Sequence, residues 1–145
     1  MIDLDTLMPG SKYFSWKEML YLPKWKIHVY PDPTQHSNLI KLVEKLDMIR
    51  IRLGVPMRVT SALRPSLYNE WKDPHGVGGA KVSAHCEGKA IDFVPIGMNV
   101  GEAMVIIEPV LEHLGLRMEH PDFTPAWVHL DTRNVMPGGS RIFKP

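Results

Sequence analysis

The sequence has 145 residues, of which 44% are hydrophobic and 23% are charged, and its formal net charge at pH 7 is +1. This length fits one ordinary domain, and the balanced composition is typical of a soluble globular protein. The near-zero net charge argues against a nucleic-acid partner, and no apolar run approaches the length of a membrane span. The lone cysteine, Cys86, excludes an internal disulfide, so we expect a fold that does not depend on oxidation.

The first third of the chain predicts two helices. Ser15 is followed by Glu18 at the spacing of a capping box, which predicts a short helix that ends before Pro23. Residues 30–37 are rich in helix breakers, and we expect a longer helix to follow them and to end at Gly54. Its apolar residues recur at helical spacing and are assigned to the core: Leu39, Leu42, Val43, Leu46, Ile49 and Leu53.

The middle of the chain predicts two strands around a long loop. Residues 55–61 predict the first strand, which ends in a turn at Arg64 and Pro65. Residues 68–82 contain an Asp-Pro pair and a glycine cluster, so they are too irregular for a core element. Loops of this length often carry function. Residues 90–94 predict the second strand.

The last third predicts an interrupted helix and further strands. Asn99 and Glu102 repeat the capping-box spacing, so we expect a helix to begin there. It should break or kink at Pro109 and end at Gly115. Strands are predicted over three segments: 116–119, 127–132 and 141–143.

The order of these elements predicts an α+β fold, with a small antiparallel or mixed sheet and helices on one side. Because side chains alternate along a strand, His129 and Asp131 should face away from Val128 and Leu130. Asp92 should likewise face away from its apolar neighbours. Polar residues on the face of two strands that is opposite to the core indicate a functional site on that face.

Two histidines and an aspartate form a candidate metal site. His85 and Asp92 flank a turn of small residues, and His129 lies on a later strand. Two imidazole nitrogens and one carboxylate oxygen suit a catalytic zinc ion, which keeps its fourth position open for water or substrate. Asp92 would also be costly to bury alone, so a cation, either a metal or an arginine, must lie beside it.

The segment Ser83–Asp92 has the pattern S-x-H-x-x-G-x-A-x-D. This pattern resembles the signature of the M15 family of zinc D,D-carboxypeptidases and L,D-endopeptidases, which cut peptidoglycan stem peptides. The resemblance implies one peptidase domain over residues 1–145, with its metal-binding core within 37–133. It also implies the α+β fold shared by D-Ala-D-Ala peptidases and Hedgehog domains, with Zn²⁺ on the open face of the sheet.

The same resemblance implies roles for residues around the metal. Peptide hydrolysis needs a base that takes a proton from water, and Glu119 resembles the family glutamate that precedes a Trp-Val-His segment. Asp122 and Asp131 remain alternatives for this base. Arg64 resembles an arginine in the family's Ser-x-x-Arg-Pro segment, and would bind substrate or stabilise an oxyanion. Ser83 would donate a hydrogen bond near the metal or to substrate.

We therefore expect a zinc peptidase that acts on peptidoglycan stem peptides, as a D-Ala-D-Ala carboxypeptidase or an L-Ala-D-Glu endopeptidase. A non-catalytic, zinc-stabilised module that binds the cell wall or belongs to a virion is the alternative. The acidic first five residues lack the features of a secretory signal. We expect a monomeric phage or prophage lysin without a nucleic-acid or membrane partner. It would be made in the host cytoplasm and reach the wall by holin-type release or with the virion.

Overall fold

The computed structural model describes the chain from residue 1 to residue 145, with five α-helices and seven strands. The α-helices are α1 (Trp16–Leu20), α2 (Pro33–Leu53), α3 (Ser66–Glu70), α4 (Val100–Ile107) and α5 (Leu111–Leu114). The strands are β1 (Tyr21–Leu22), β2 (Ile27–His28), β3 (Met57–Ser61), β4 (Ala90–Pro95), β5 (Arg117–Glu119), β6 (Val128–Asp131) and β7 (Ile142–Phe143). Short 3₁₀-helices cover Ala84–Glu87 and Glu108–Val110.

A five-stranded sheet in the order β3-β4-β6-β5-β7 organises the fold. Its neighbouring strands are antiparallel, except that β7 runs parallel to β5 at one edge. Strands β1 and β2 form a separate antiparallel pair. A mixed sheet combined with helices confirms the predicted α+β fold.

The hydrophobic core lies between the helices and one face of the five-stranded sheet. It is a cluster of 24 buried residues, and α2 and α4 pack against each other within it. The strands contribute alternate residues to this cluster: Ile91, Phe93, Met118, Val128 and Leu130. The predicted alternation along these strands is therefore confirmed. None of the helices is both long and apolar enough to cross a membrane.

The longest helix begins earlier than predicted. Asp32 accepts a hydrogen bond from the backbone of Gln35, whose side chain bonds back to complete a capping box, and Pro33 is the first helical residue. Residues 33–37 form the first turns of α2, although the sequence predicted an irregular segment there. Proline is tolerated at this position because the first N–H groups of a helix have no partner within it. The predicted end is confirmed, since Gly54 caps α2 with a left-handed φ of 69°.

The other predicted helix boundaries agree with the structure. Ser15 and Asn99 are the caps of α1 and α4, each in a capping box. Pro109 lies in the 3₁₀-helix that separates α4 from α5, and Gly115 caps α5. Helix α3 and the pair β1–β2 were not predicted, because both are too short to carry a hydrophobic period.

Candidate metal centre and active site

Strands β4 and β6 place two candidate ligands side by side. Asp92 and His129 are direct partners in the antiparallel register, and both face away from the core. His85 approaches them from the 3₁₀-helix that precedes β4, which Ser83 caps at its start. One ligand atom from each of the three residues lies within 4.8 Å of the others. The structure thus brings together the three residues that the sequence pattern predicted as metal ligands.

The turn that carries the first histidine is fixed against helix α2. Gly88 ends this turn with a φ of 70°, and a Cβ atom there would lie 2.8 Å from the carbonyl oxygen of Gln35. The side chains of Gln35 and Asn38 donate hydrogen bonds to the carbonyl oxygens of Cys86 and Glu87. The glycine of the sequence pattern is therefore required both by its left-handed backbone and by close packing.

Each histidine uses one ring nitrogen for support and turns the other towards Asp92. Nδ1 of His85 lies 2.7 Å from the carbonyl oxygen of Ala62, and its Nε2 lies 3.2 Å from Oδ2 of Asp92. Nε2 of His129 lies 3.1 Å from Oδ2 of Asp131, and its Nδ1 lies 2.8 Å from Oδ1 of Asp92. Histidines that bind metals commonly donate their second ring N–H to a carbonyl or carboxylate oxygen in this way.

The residues present therefore fit a bound metal ion. Nε2 of His85, Nδ1 of His129 and a carboxylate oxygen of Asp92 form a three-donor set without a fourth protein ligand in the cluster. That donor number is typical of a catalytic metal, which keeps one position open. The three residues are at most 7% exposed, so their polar atoms need partners in place of water.

The electrostatics of the site favour positive charge. Burial alone would raise the pKa of Asp92, but the neighbouring His85 and His129 outweigh it and hold that pKa well below its usual range. Burial opposes protonation of His129, yet hydrogen bonds to Asp131 and Asp92 raise its pKa to about 9. For His85 burial dominates and lowers the pKa. A metal ion requires an ionised carboxylate and neutral imidazoles, so Asp92 and His85 favour its binding, whereas His129 must release a proton when the metal binds.

Behind His129, Asp131 is held by a second buried ion pair. Nε and one terminal nitrogen of Arg117 donate to its two carboxylate oxygens at 2.8 and 2.9 Å. Residues 117 and 131 are partners in the register of β5 and β6. Burial would raise the pKa of Asp131, but hydrogen bonds from His129 and Arg117 keep it low. Both oxygens are engaged, so Asp131 orients His129 and is not placed as a free base.

Arg64 contacts the candidate centre through Asp92. Its Nε donates to Oγ of Ser61 at 2.7 Å, and its terminal nitrogens donate to Oδ1 of Asn69 at 3.3 Å and to Oδ2 of Asp92 at 2.8 Å. The sequence left open whether a metal or an arginine answers the charge of Asp92. In the structure an arginine lies beside that carboxylate and donates to Oδ2, whereas His129 contacts Oδ1.

Glu119 is the candidate base with a free carboxylate. It is half-buried and lines the same cleft as the three candidate ligands. Burial is the main cause that raises its pKa, while the charge of His129 acts in the opposite sense. Asp122, by contrast, lies in an exposed turn beside His120, with a side chain that is 77% exposed. Geometry therefore favours Glu119 over both alternatives that the sequence left open.

A cleft of about 710 Å³ opens over these side chains. The predicted functional loop forms one wall with Val77, Gly79 and Val82, and Ser83 continues it. Oγ of Ser83 accepts a hydrogen bond from the backbone N–H of His85, so its own proton can be donated into the cleft. A groove of similar size beside α4, about 670 Å³, contains a single ionisable group and offers no comparable chemistry.

Sequence reasoning missed two supporting residues. Arg117 was not singled out: its alternation with Met118 gives only its face on β5, whereas its position opposite Asp131 depends on the register between β5 and β6. Asn69 falls in the segment predicted to be an irregular loop, but it is fully buried and its Nδ2 donates to the carbonyl oxygen of Ala80 at 2.7 Å. It thereby ties the loop wall to Arg64. No local pattern distinguishes such an asparagine from an exposed one.

A family model described as Peptidase M15 matches residues 12–131, well over half of the chain. The matched range contains the three candidate ligands together with Arg64 and Glu119. Comparison with curated proteins and with solved structures gave no match.

Proposed function

The chain belongs to the peptidase M15 family, and from this premise we propose that it is a zinc-dependent peptidase that cuts peptidoglycan stem peptides. One observation carries the proposal. His85, Asp92 and His129 present three converging donor atoms, and the free carboxylate of Glu119 lines the same cleft. This combination supplies what metal-assisted amide hydrolysis needs: an open metal position and a nearby proton acceptor.

We propose zinc as the metal because two imidazole nitrogens and one carboxylate oxygen are a donor set of catalytic zinc sites. When bound, zinc polarises the substrate carbonyl and lowers the pKa of water to about 7. Ala62 and Asp131 keep the other ring nitrogens of His85 and His129 occupied, so each histidine has a single nitrogen to offer.

Glu119 is proposed as the general base. Its carboxylate accepts a proton from the water that attacks the carbonyl carbon, and it returns this proton to the departing amine nitrogen. Partial burial favours this role because it raises the pKa of Glu119 towards the working range of an enzyme. The carboxylate also has no hydrogen bond that a proton transfer would have to break.

Arg64 and Ser83 are proposed to orient the site and the substrate. The guanidinium of Arg64 fixes Asp92 and borders the cleft, where it can stabilise negative charge that develops on the substrate oxygen or bind a terminal carboxylate. Ser83 fixes the turn of His85 and has a hydroxyl proton for a substrate carbonyl. A further proposal is the biological setting: a monomeric phage or prophage lysin that acts on the wall.

Mass analysis of products from purified muropeptides tests the proposal. Zinc-loaded protein should release either D-Ala from a free D-Ala-D-Ala end or fragments cut between L-Ala and D-Glu, and the product masses identify the bond. A zinc-loaded Glu119→Gln variant is the matched control and should leave the muropeptides intact. If the wild-type protein binds muropeptides tightly and leaves them intact, the non-catalytic wall-binding module replaces the peptidase.

A further inference from the structure

Strand β7 lies beyond the residues that the family model matches, yet it reaches the cleft. The match ends at residue 131, and β7 covers Ile142–Phe143. This strand joins the edge of the sheet in parallel register, with Phe143 paired to Glu119. Two backbone hydrogen bonds fix this strand in place. The N–H of Met118 donates to the carbonyl oxygen of Arg141 at 2.7 Å, and the N–H of His120 donates to the carbonyl oxygen of Phe143 at 2.8 Å.

The ring of Phe143 lies against two residues of the candidate centre. The guanidinium carbon of Arg117 lies 4.1 Å from the ring centroid, within the range of a cation–π contact. The ring of His129 lies 5.8 Å away, centroid to centroid, in an edge arrangement. The N–H groups of the Arg117 guanidinium therefore point to Asp131, and its planar face lies against the ring of Phe143. Both members of this ion pair are largely shielded from water, at 18% and 1% side-chain exposure.

We infer that Phe143 is a positioning residue for His129 and acts through Arg117 and Asp131. The aromatic face fixes the plane of the guanidinium, the guanidinium holds both oxygens of Asp131, and Asp131 holds Nε2 of His129. Nδ1 of His129 is thereby aimed at Asp92 and the metal position. The inference rests on the proposed function, because it assigns Phe143 a task in the proposed metal centre.

Aliphatic packing alone would not fix the orientation of the Arg117 guanidinium. A guanidinium is weakly hydrated and stacks on an aromatic ring in one plane, whereas an aliphatic side chain fills space without fixing that plane. Glu119 lies on the same face of β5 as Arg117 and has a free carboxylate. If the guanidinium of Arg117 is released from the ring, it can therefore move to the carboxylate of Glu119. This movement would have two effects: His129 would lose its support through Asp131, and the proposed base would be engaged in an ion pair.

The test is the zinc affinity of a set of Phe143 variants, measured by competition with a chelating dye. Phe143→Leu keeps the apolar bulk but removes the aromatic face, and should weaken zinc binding about 10-fold, as for other partners that orient metal ligands. Phe143→Trp keeps the face and should stay within about 2-fold of wild type. Equal zinc affinities for Phe143→Leu and wild type would overturn the inference. A loss of zinc affinity in Phe143→Trp as large as that in Phe143→Leu would overturn it as well.

Ile142→Ala is the matched control for a loosened strand. Ile142 is the neighbour on β7 that packs on the hydrophobic core, so its truncation should lower the stability of the fold and leave the zinc affinity of the folded protein unchanged. A loss of affinity as large as that of Phe143→Leu would assign the effect to docking of β7 as a whole. In that case the aromatic ring has no role of its own.

A second readout uses metal-free protein, so it remains decisive even if the wild type binds no zinc and the proposed function fails. In the NMR spectrum, the Nε–H of Arg117 should exchange slowly and show a ring-current shift in wild type and Phe143→Trp. The ring N–H of His129 that bonds to Asp131 should be visible in the same two proteins. Phe143→Leu should lose the ring-current shift and broaden both signals. Signals that keep their exchange rates in Phe143→Leu would contradict the inference.

Discussion

The two faces of the central strands are both buried but chemically opposite. On one face Ile91 and Leu130 are 0% exposed within the core, and on the other Asp92 and His129 are 7% exposed. Burial of the apolar face is itself stabilising, by about 25 cal/mol per Å² of surface removed from water. Burial of the polar face costs free energy unless every group has a partner.

This difference explains why partners are so specific on the polar face. Asp92 has His85, His129 and Arg64, and Asp131 has Arg117 and His129. An apolar residue can be exchanged for another of similar volume at modest cost, whereas a member of the polar network cannot be exchanged without leaving a partner alone. We therefore expect substitutions on the core face to change stability and substitutions on the site face to change metal binding and catalysis.

The largest effect is expected for His129→Ala on the site face. Two remaining ligands rarely hold zinc, so the purified variant should lose most of its metal and retain less than about 1% of the metal-dependent activity. Elemental analysis of the dialysed protein measures the metal content. Undiminished zinc in this variant would remove His129 from the ligand set.

Phe93→Ala is the counterpart on the core face. Phe93 neighbours Asp92 but lies in the hydrophobic cluster with 0% exposure, so its truncation should cost about 3–5 kcal/mol in the free energy of unfolding. Denaturant unfolding measures this loss. The zinc bound per folded chain should stay at the wild-type level, and a fall in zinc that exceeds the unfolded fraction would break the separation between the two faces.

Glu119→Gln should change the chemistry alone. Glutamine keeps the size of the side chain but cannot accept the proton, so activity should fall at least ~100-fold, while zinc content and stability remain unchanged. Steady-state kinetics with equal zinc loading provide the measurement. Turnover near the wild-type level would exclude Glu119 as the base, and loss of zinc would make it a ligand.

Arg64→Lys is expected to have the smallest effect, about 10-fold in activity, because lysine keeps the charge but cannot donate to Ser61, Asn69 and Asp92 together. Peptides with free and with amidated C-termini distinguish its roles. If Arg64 acts through Asp92 or on the oxyanion, kcat should fall alike for both. A selective rise in KM for the free-ended peptide would instead assign Arg64 to a terminal carboxylate.

The three candidate ligands could be singled out from the sequence because their signals are local. His85 and Asp92 lie within one short pattern, and the period of two along β6 placed His129 on the face opposite to Val128. The pair of Arg117 with Asp131 could not be predicted, because it depends on the register between two strands.

The choice between Glu119 and the other acids also needed the structure. Asp131 and Glu119 are both carboxylates near the last histidine in sequence, and only tertiary contacts reveal that Asp131 is engaged at both oxygens. The early start of α2 had a local signal, Asp32 with Gln35 around Pro33. Proline is a helix breaker in the interior of a helix but is favoured in its first turn, so the same residue predicts a breaker or a helix start according to its position.

We propose that a metal ion held on the polar face drives hydrolysis of stem peptides. The most direct test is the rate of new amine release from purified peptidoglycan, measured before chelation, after chelation and after zinc is restored to one equivalent. We predict that chelation abolishes amine release and that zinc restores it in the wild type and in Ile142→Ala, but not in Glu119→Gln. Amine release that continues unchanged in the fully chelated protein would contradict the account.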